Sequence, residues 1–140
     1  MANAPSYLMN ADLVVEKFGY WPRFHDSPVV EFKYDPEGEG KVELALICWE
    51  MTSEVDNRGY FKLSKKHRIR FLFKGITAAN LGQFSPDNIL YELGFPDADI
   101  SETGSFKVEL DSAMGGELCG DFRARQGEVV EIVACDIKST

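Results

Sequence analysis

The chain has no apolar run approaching the roughly 18 residues that a membrane-spanning helix requires, so no helical span and no membrane partner are expected. Histidine is scarce, with only His25 and His67, and no HExxH or comparable ligand pair occurs. A catalytic zinc takes three protein ligands, and His67 lies in the basic run Lys65–Arg70, which repels a cation. Neither a metal site nor a cofactor is therefore expected. Cysteine is limited to Cys48, Cys119 and Cys135, odd in number, far apart and in no CxxC pairing. That usage suits reduced thiols buried as small interior residues in the cytoplasm, and no sequence neighbour supplies the base that would make one a nucleophile. The segment Gly38 to Lys41, GEGK, is not a phosphate loop, because Val42 stands where the motif needs a hydroxyl. The opening MANAPSYLMNADL has neither a basic start nor a long apolar stretch, so no cleaved secretory signal is expected.

Acidic residues are absent from Asn57 to Pro86, whose bases are Arg58, Lys62, Lys65, Lys66, Arg68, Arg70 and Lys74. Residues 1–84 balance 11 bases against 11 acids, whereas residues 85–140 hold 4 bases and 12 acids and carry the whole net charge of −8. Such a chain repels a phosphate backbone, so nucleic acid is not the expected partner. The basic run with aromatics, from Tyr60 and Phe61 to Phe73, does not read as a stacking platform. Alternation sets Phe71 and Phe73 on the face opposite Arg68 and Arg70. The basic segment and the acidic third can neutralise each other across neighbouring strands, or an acidic surface can persist and attract a basic partner.

With 140 residues, 44% hydrophobic and 27% charged, the chain reads as one globular domain over 1–140. Asn10 as cap, Asp12 and Lys17 at opposite ends and Gly19 as stop predict a helix over Ala11–Phe18, with Leu13, Val14 and Phe18 as its buried stripe. Period-two runs then predict strands with core faces Val30/Phe32/Tyr34, Val42/Leu44/Leu46/Cys48, Ile69/Phe71/Phe73, Phe106/Val108/Leu110 and Leu118/Phe122/Ala124. Ser85, Pro86 and Gly94 could frame a short helix, but the alternation of Ile89, Tyr91, Leu93 and Phe95 favours a strand. Val129–Ile137 has little polar character on either face, which predicts a central strand covered on both sides. The expected fold is mainly β within the α+β class: an antiparallel β-sandwich or strongly curved sheet with one short N-terminal helix.

His25-Asp26 is the one adjacent pair that resembles catalytic equipment, a base oriented by a carboxylate. No nucleophile or oxyanion site accompanies it at a recognisable spacing, so a structural role in a turn is the preferred reading. A hydrolase built on this pair would need a hydroxyl or thiol brought beside it by the fold. The surrounding segment, FGYWPRFHDSPVVEF from Phe18 to Phe32, resembles the start of the bacterial immunity protein 50 family. The matching positions of the pattern FG-x-WP-x-FHD-x-x-V are Phe18, Gly19, Trp21, Pro22, Phe24, His25, Asp26 and Val29, and Pro28 stands where the family commonly has an acidic or small residue. Physically these residues read as a folding signature: large rings around a helix exit, a glycine stop and a stiffening proline.

The resemblance implies an intracellular, non-enzymatic protein that neutralises a cognate toxin domain by binding it. Many such toxins are basic, which matches the acidic third of this chain. The candidate contact residues are Asp97, Asp99, Glu102, Glu109, Asp111, Glu117 and Asp121. The alternative is a β-rich ligand-binding module for carbohydrate or lipid, with Trp21, Trp49 and Tyr60 as probes of an aromatic pocket. Self-association is not legible from the sequence.

Overall fold

A computed structural model of the chain describes residues 4–55, 57–59, 61–82, 89–112 and 119–135. Leu8–Met9 forms a two-residue strand β1, followed by helix α1 at Ala11–Phe18. Eight strands succeed it: β2 Ser27–Asp35, β3 Lys41–Val55, β4 Phe61–Lys74, β5 Ala78–Gly82, β6 Ile89–Gly94, β7 Phe106–Ser112, β8 Cys119–Ala124 and β9 Gln126–Ala134. Their spatial order is β1-β9-β4-β3-β2-β6-β7-β8-β5, and every pairing except β1 with β9 is antiparallel.

The sheet bends at β2. Its first residues, Ser27 and Pro28, pair with β6, while Val29 to Asp35 pair with β3 across a register shift between Val29 and Glu31. A bulge of this kind kinks a strand and increases its twist, so one strand serves two halves of a curved sheet. The halves face each other over one aromatic cluster. Phe73 stands in its middle, with ring centroids 6.0 Å from Phe71, 5.1 Å from Phe122 and 6.3 Å from both Phe95 and Phe106. The uninterrupted runs fall as their alternation predicts: Val42, Leu44, Leu46, Cys48, Ile69, Phe71, Phe73, Phe106, Val108, Leu110, Phe122 and Ala124 are all buried. Leu118 lies outside the described residues. At the β5–β8 pairing Gly120 has φ +128, and a Cβ there would collide with the Asn80 carbonyl, so only glycine lets these strands approach.

Several expectations are corrected. Helix α1 stops where predicted: Gly19, at φ +85, donates its N–H to the Val15 carbonyl at 2.7 Å. Its start differs, because Asn10 makes no cap bond and instead donates through Nδ2 to Glu128 Oε2, tying the helix to β9. Ala11, Val14 and Phe18 form the buried stripe, whereas Leu13, about 100° around the helix from Val14, is exposed. The bulge in β2 takes Val30 out of phase and leaves it exposed, while Phe32 and Tyr34 keep their phase opposite buried Leu44 and Val42, Phe32 half-buried and Tyr34 exposed towards the end of the strand. Over Ile89–Gly94 the chain is a strand, but a register shift between Leu90 and Glu92 replaces strict alternation with buried Leu90 and Leu93. β9 is not covered on both sides. Val129 is buried but Val130 and Val133 are exposed, the neighbour on its edge side is the two-residue β1, and Asp136 and Ile137 lie outside the described residues.

The outer face of β2–β3–β4–β9 is a charge checkerboard. In register across it run Glu31, Ala45, Arg70 and Glu131. Arg70 Nη1 reaches Glu31 Oε1 at 2.6 Å over Ala45, whose methyl leaves room for the guanidinium and is itself fully buried. Arg68 pairs with Glu131 at 3.4 Å and Lys33 with Glu43 at 3.9 Å. Glu31 of β2 and Glu131 of β9 thus pair with two bases of the acid-free segment, Arg70 and Arg68, and Glu50 of β3 lies 3.1 Å from a third, Lys65. The hydrogen bond from Arg70, with its charge, lowers the Glu31 carboxyl below its ordinary 4.5. A depressed carboxylate stabilises the fold above the unfolded value and loses that contribution as pH falls through the folded value. Glu31→Gln is therefore expected to lower stability at pH 7, and the gap to wild type should narrow as pH falls below the ordinary 4.5 and close once it has passed the lowered folded value, when urea midpoints are compared across pH.

Candidate functional site

The other half of the sheet has a different electrostatic pattern. On β7, Phe106, Val108 and Leu110 enter the core, so Lys107, Glu109 and Asp111 face outward. On β8, Phe122 and Ala124 are buried, leaving Asp121 and Arg123 on the same outer face. Register then sets Glu109 directly opposite Asp121, and Glu92 of β6 opposite Asp111. Like charges in directly opposed positions destabilise a sheet, and here two such pairs occur side by side. Arg23 compensates Glu92 at 3.4 Å. Among the described residues, no ion pair involves Glu109, Asp111 or Asp121.

The two bases on this face sit at one end of it, and one is drawn away. Arg123 donates to Ser105 Oγ at 3.0 Å, to the Ser105 carbonyl at 3.2 Å and to Asp97 Oδ2 at 3.4 Å. Asp97 also accepts the Lys107 backbone N–H at 2.9 Å, and its carbonyl accepts Tyr7 Oη at 2.8 Å. Burial, then Asp97 and Asp99, push the Tyr7 phenol up to about 12, so it stays a donor. Of the expected contact residues, the structure joins Glu109, Asp111 and Asp121 in one row. Asp97 is engaged inside the fold, while Asp99 and Glu102 are exposed in the loop that leads to β7. Glu117 lies outside the described residues. Glu92, absent from the sequence-based set, joins the row because the β6 bulge sets it opposite Asp111.

The segment from Phe18 to Asp26 anchors the helix exit. Phe18, Trp21 and Phe24 are buried, with Trp21 5.4 Å from Phe24, Phe24 5.8 Å from Phe71 and Phe18 5.5 Å from His67. These contacts give the rings the packing role expected of them. Phe24 and Asp26 both adopt left-handed backbone, at φ 61 and 60, uncommon for residues with a side chain. His25 Nε2 lies 3.4 Å from Asp26 Oδ2, and both side chains are more than half exposed.

Beside this turn is a cavity of about 370 Å³. Its walls include Tyr20, Arg23, His25, Asp26, Cys48, Trp49 and Glu50. The fold thus brings a thiol and a second carboxylate near the His25-Asp26 pair. Burial pushes the Cys48 thiol up to about 12, so it is un-ionised at neutral pH and supplies no thiolate. Burial, then Glu50, also raises the Tyr20 phenol. Lys65 Nζ lies 3.1 Å from Glu50 Oε2 and donates to the Phe18 carbonyl at 3.0 Å. Among the expected aromatic probes, Trp49 lines the cavity, Trp21 is buried and Tyr60 lies outside the described residues. Among the described residues no group of three or more His, Cys, Asp or Glu side chains could hold a metal ion, and no helix is long and apolar enough to cross a membrane.

These features define a mainly β protein with a charge-balanced half and an acidic half, and a mixed aromatic and polar cavity at the helix exit. Comparison of the chain with family models, curated proteins and solved structures finds no match.

Proposed function

We propose that this protein is a non-enzymatic immunity protein that binds a basic, intracellularly acting toxin domain through the outer face of β6, β7 and β8. One observation carries the reading: Glu109 and Asp121 oppose each other in register with no ion pair, beside Asp111, while Lys33, Arg68 and Arg70 on the other half of the sheet are each paired with a carboxylate. A fold that tolerates such repulsion on one face gains from it when a basic surface arrives, because a concentrated anionic field speeds encounter and selects partners. The pattern FG-x-WP-x-FHD-x-x-V, from Phe18 to Val29, supports the class, and the site of action proposed with it is the cytoplasm. The un-ionised Cys48 thiol agrees with inhibition by occlusion. A second reading, a ligand-binding module for carbohydrate, draws on the cavity walled by Tyr20 and Trp49.

Co-expression with the toxin domain encoded beside this chain's gene tests the proposal. Growth is expected to be restored and the two proteins to co-purify at equal stoichiometry. Continued toxicity without a complex, or inhibition by far fewer chains than toxin molecules, would contradict it.

A further inference from the structure

The cavity at the helix exit has a composition that the acidic face alone does not explain. We propose, resting on the reading above, that it is a socket for a cationic side chain of the partner, arginine above all. Its volume of about 370 Å³ accommodates one long side chain, near the lower end of the range for small-ligand sites. Trp49 and Tyr20 supply aromatic surface, which attracts a guanidinium through the ring quadrupole. Burial and the neighbouring Glu50 keep the Tyr20 phenol protonated, so it remains a neutral ring with a donor.

The charges favour a cation over an anion. Asp26 and Glu50 are on the walls, and Glu92 is held by Arg23. On the walls themselves Asp26 and Glu50 stand against Arg23, one net negative charge with His25 counted as neutral, while Lys65 beside Glu50 and Glu92 beside Arg23 lie behind the wall and offset each other. Glu50 Oε2, although 3.1 Å from Lys65 Nζ, is sheltered from water without a well-directed hydrogen bond. Asp26 is more than half exposed and can accept two parallel bonds from a guanidinium. The socket is also continuous with the proposed binding face, since Arg23 is on its wall while contacting Glu92, the register partner of Asp111. Arginine, tryptophan and tyrosine are the residues enriched at interface hot spots.

The test uses the isolated, full chain and N-acetyl-L-argininamide, with glucose and N-acetyl-L-glutamate as comparison ligands. Amide and indole NMR shifts are expected to saturate with the arginine derivative at about millimolar concentration, centred on Tyr20, Asp26 and Trp49. Asp26→Asn and Trp49→Phe, the second chosen to keep an aromatic ring in place, are expected to weaken binding at least about five-fold. The triple variant Glu109→Gln/Asp111→Asn/Asp121→Asn should keep it. Saturation by glucose instead, by the acidic derivative equally, or by none of the three would overturn the socket. The outcome is separable from the functional proposal: a toxin complex unaffected by Asp26→Asn and Trp49→Phe would remove the socket and leave the acidic face standing.

Discussion

Replacing Glu109, Asp111 and Asp121 together by Gln, Asn and Asn is expected to weaken capture of the basic partner about 100-fold while leaving the fold equally or more stable. The affinity loss corresponds to about 1 kcal/mol for each charge. The stability effect has the opposite sign because Glu109 and Asp121 face each other in register on β7 and β8. Relieving that repulsion should contribute about 0.2–1 kcal/mol. Opposite signs separate the two roles a carboxylate can have. A structural ion pair, such as Arg70–Glu31 at 2.6 Å, supports the fold and costs stability when neutralised. A residue retained for a partner costs binding. Urea denaturation and affinity for the toxin domain, measured on the same variant, check both halves of the prediction.

The largest stability loss is expected at Phe73. This ring is fully buried and contacts Phe71, Phe95, Phe106 and Phe122, which come from both halves of the sheet and the loop after β6. Phe73→Ala removes the ring that the halves share, and β-sheet backbone on either side limits collapse into the space. A cost of about 3–5 kcal/mol is expected, a large part of the roughly 5–15 kcal/mol available to a domain. In urea the midpoint should fall without a change in slope, since the surface exposed on unfolding is nearly the same. Leu13→Ala provides the contrast: this side chain is 37% exposed on α1, and a loss below about 1 kcal/mol is expected.

Strand faces were legible wherever alternation ran unbroken, as in Val42–Cys48, Ile69–Phe73 and Phe106–Leu110. Bulges were not. The register shifts after Val29 and Leu90 depend on which strand lies alongside, so Val30 leaves the core face with no local signal. β9 misleads for a related reason: its apolar sequence reads as central, yet its neighbour β1 has only two residues. At the helix exit the large rings announced their packing, because Phe18, Trp21 and Phe24 leave few other ways to be buried.

The acidic row was legible in sign and only partly in membership. Asp97 looks no different in sequence from Asp111, but the chain returns Arg123 to it across β7 and β8. Glu92 enters the row through the β6 bulge. Trp49 and the His25-Asp26 pair stood out in the sequence separately, but that they line one cavity with Tyr20 was out of reach, since these residues meet only when the turn before β2 folds against β3.

The salt dependence of toxin binding tests the central claim most directly. Affinities of the wild type and of Glu109→Gln/Asp111→Asn/Asp121→Asn for the toxin domain would be measured between about 50 and 500 mM salt, where the screening length falls from roughly 14 to 4 Å. An acidic binding face predicts a steep loss of wild-type affinity with salt and a shallower one for the variant, the two converging at high salt. Equal affinities and parallel salt curves would contradict it.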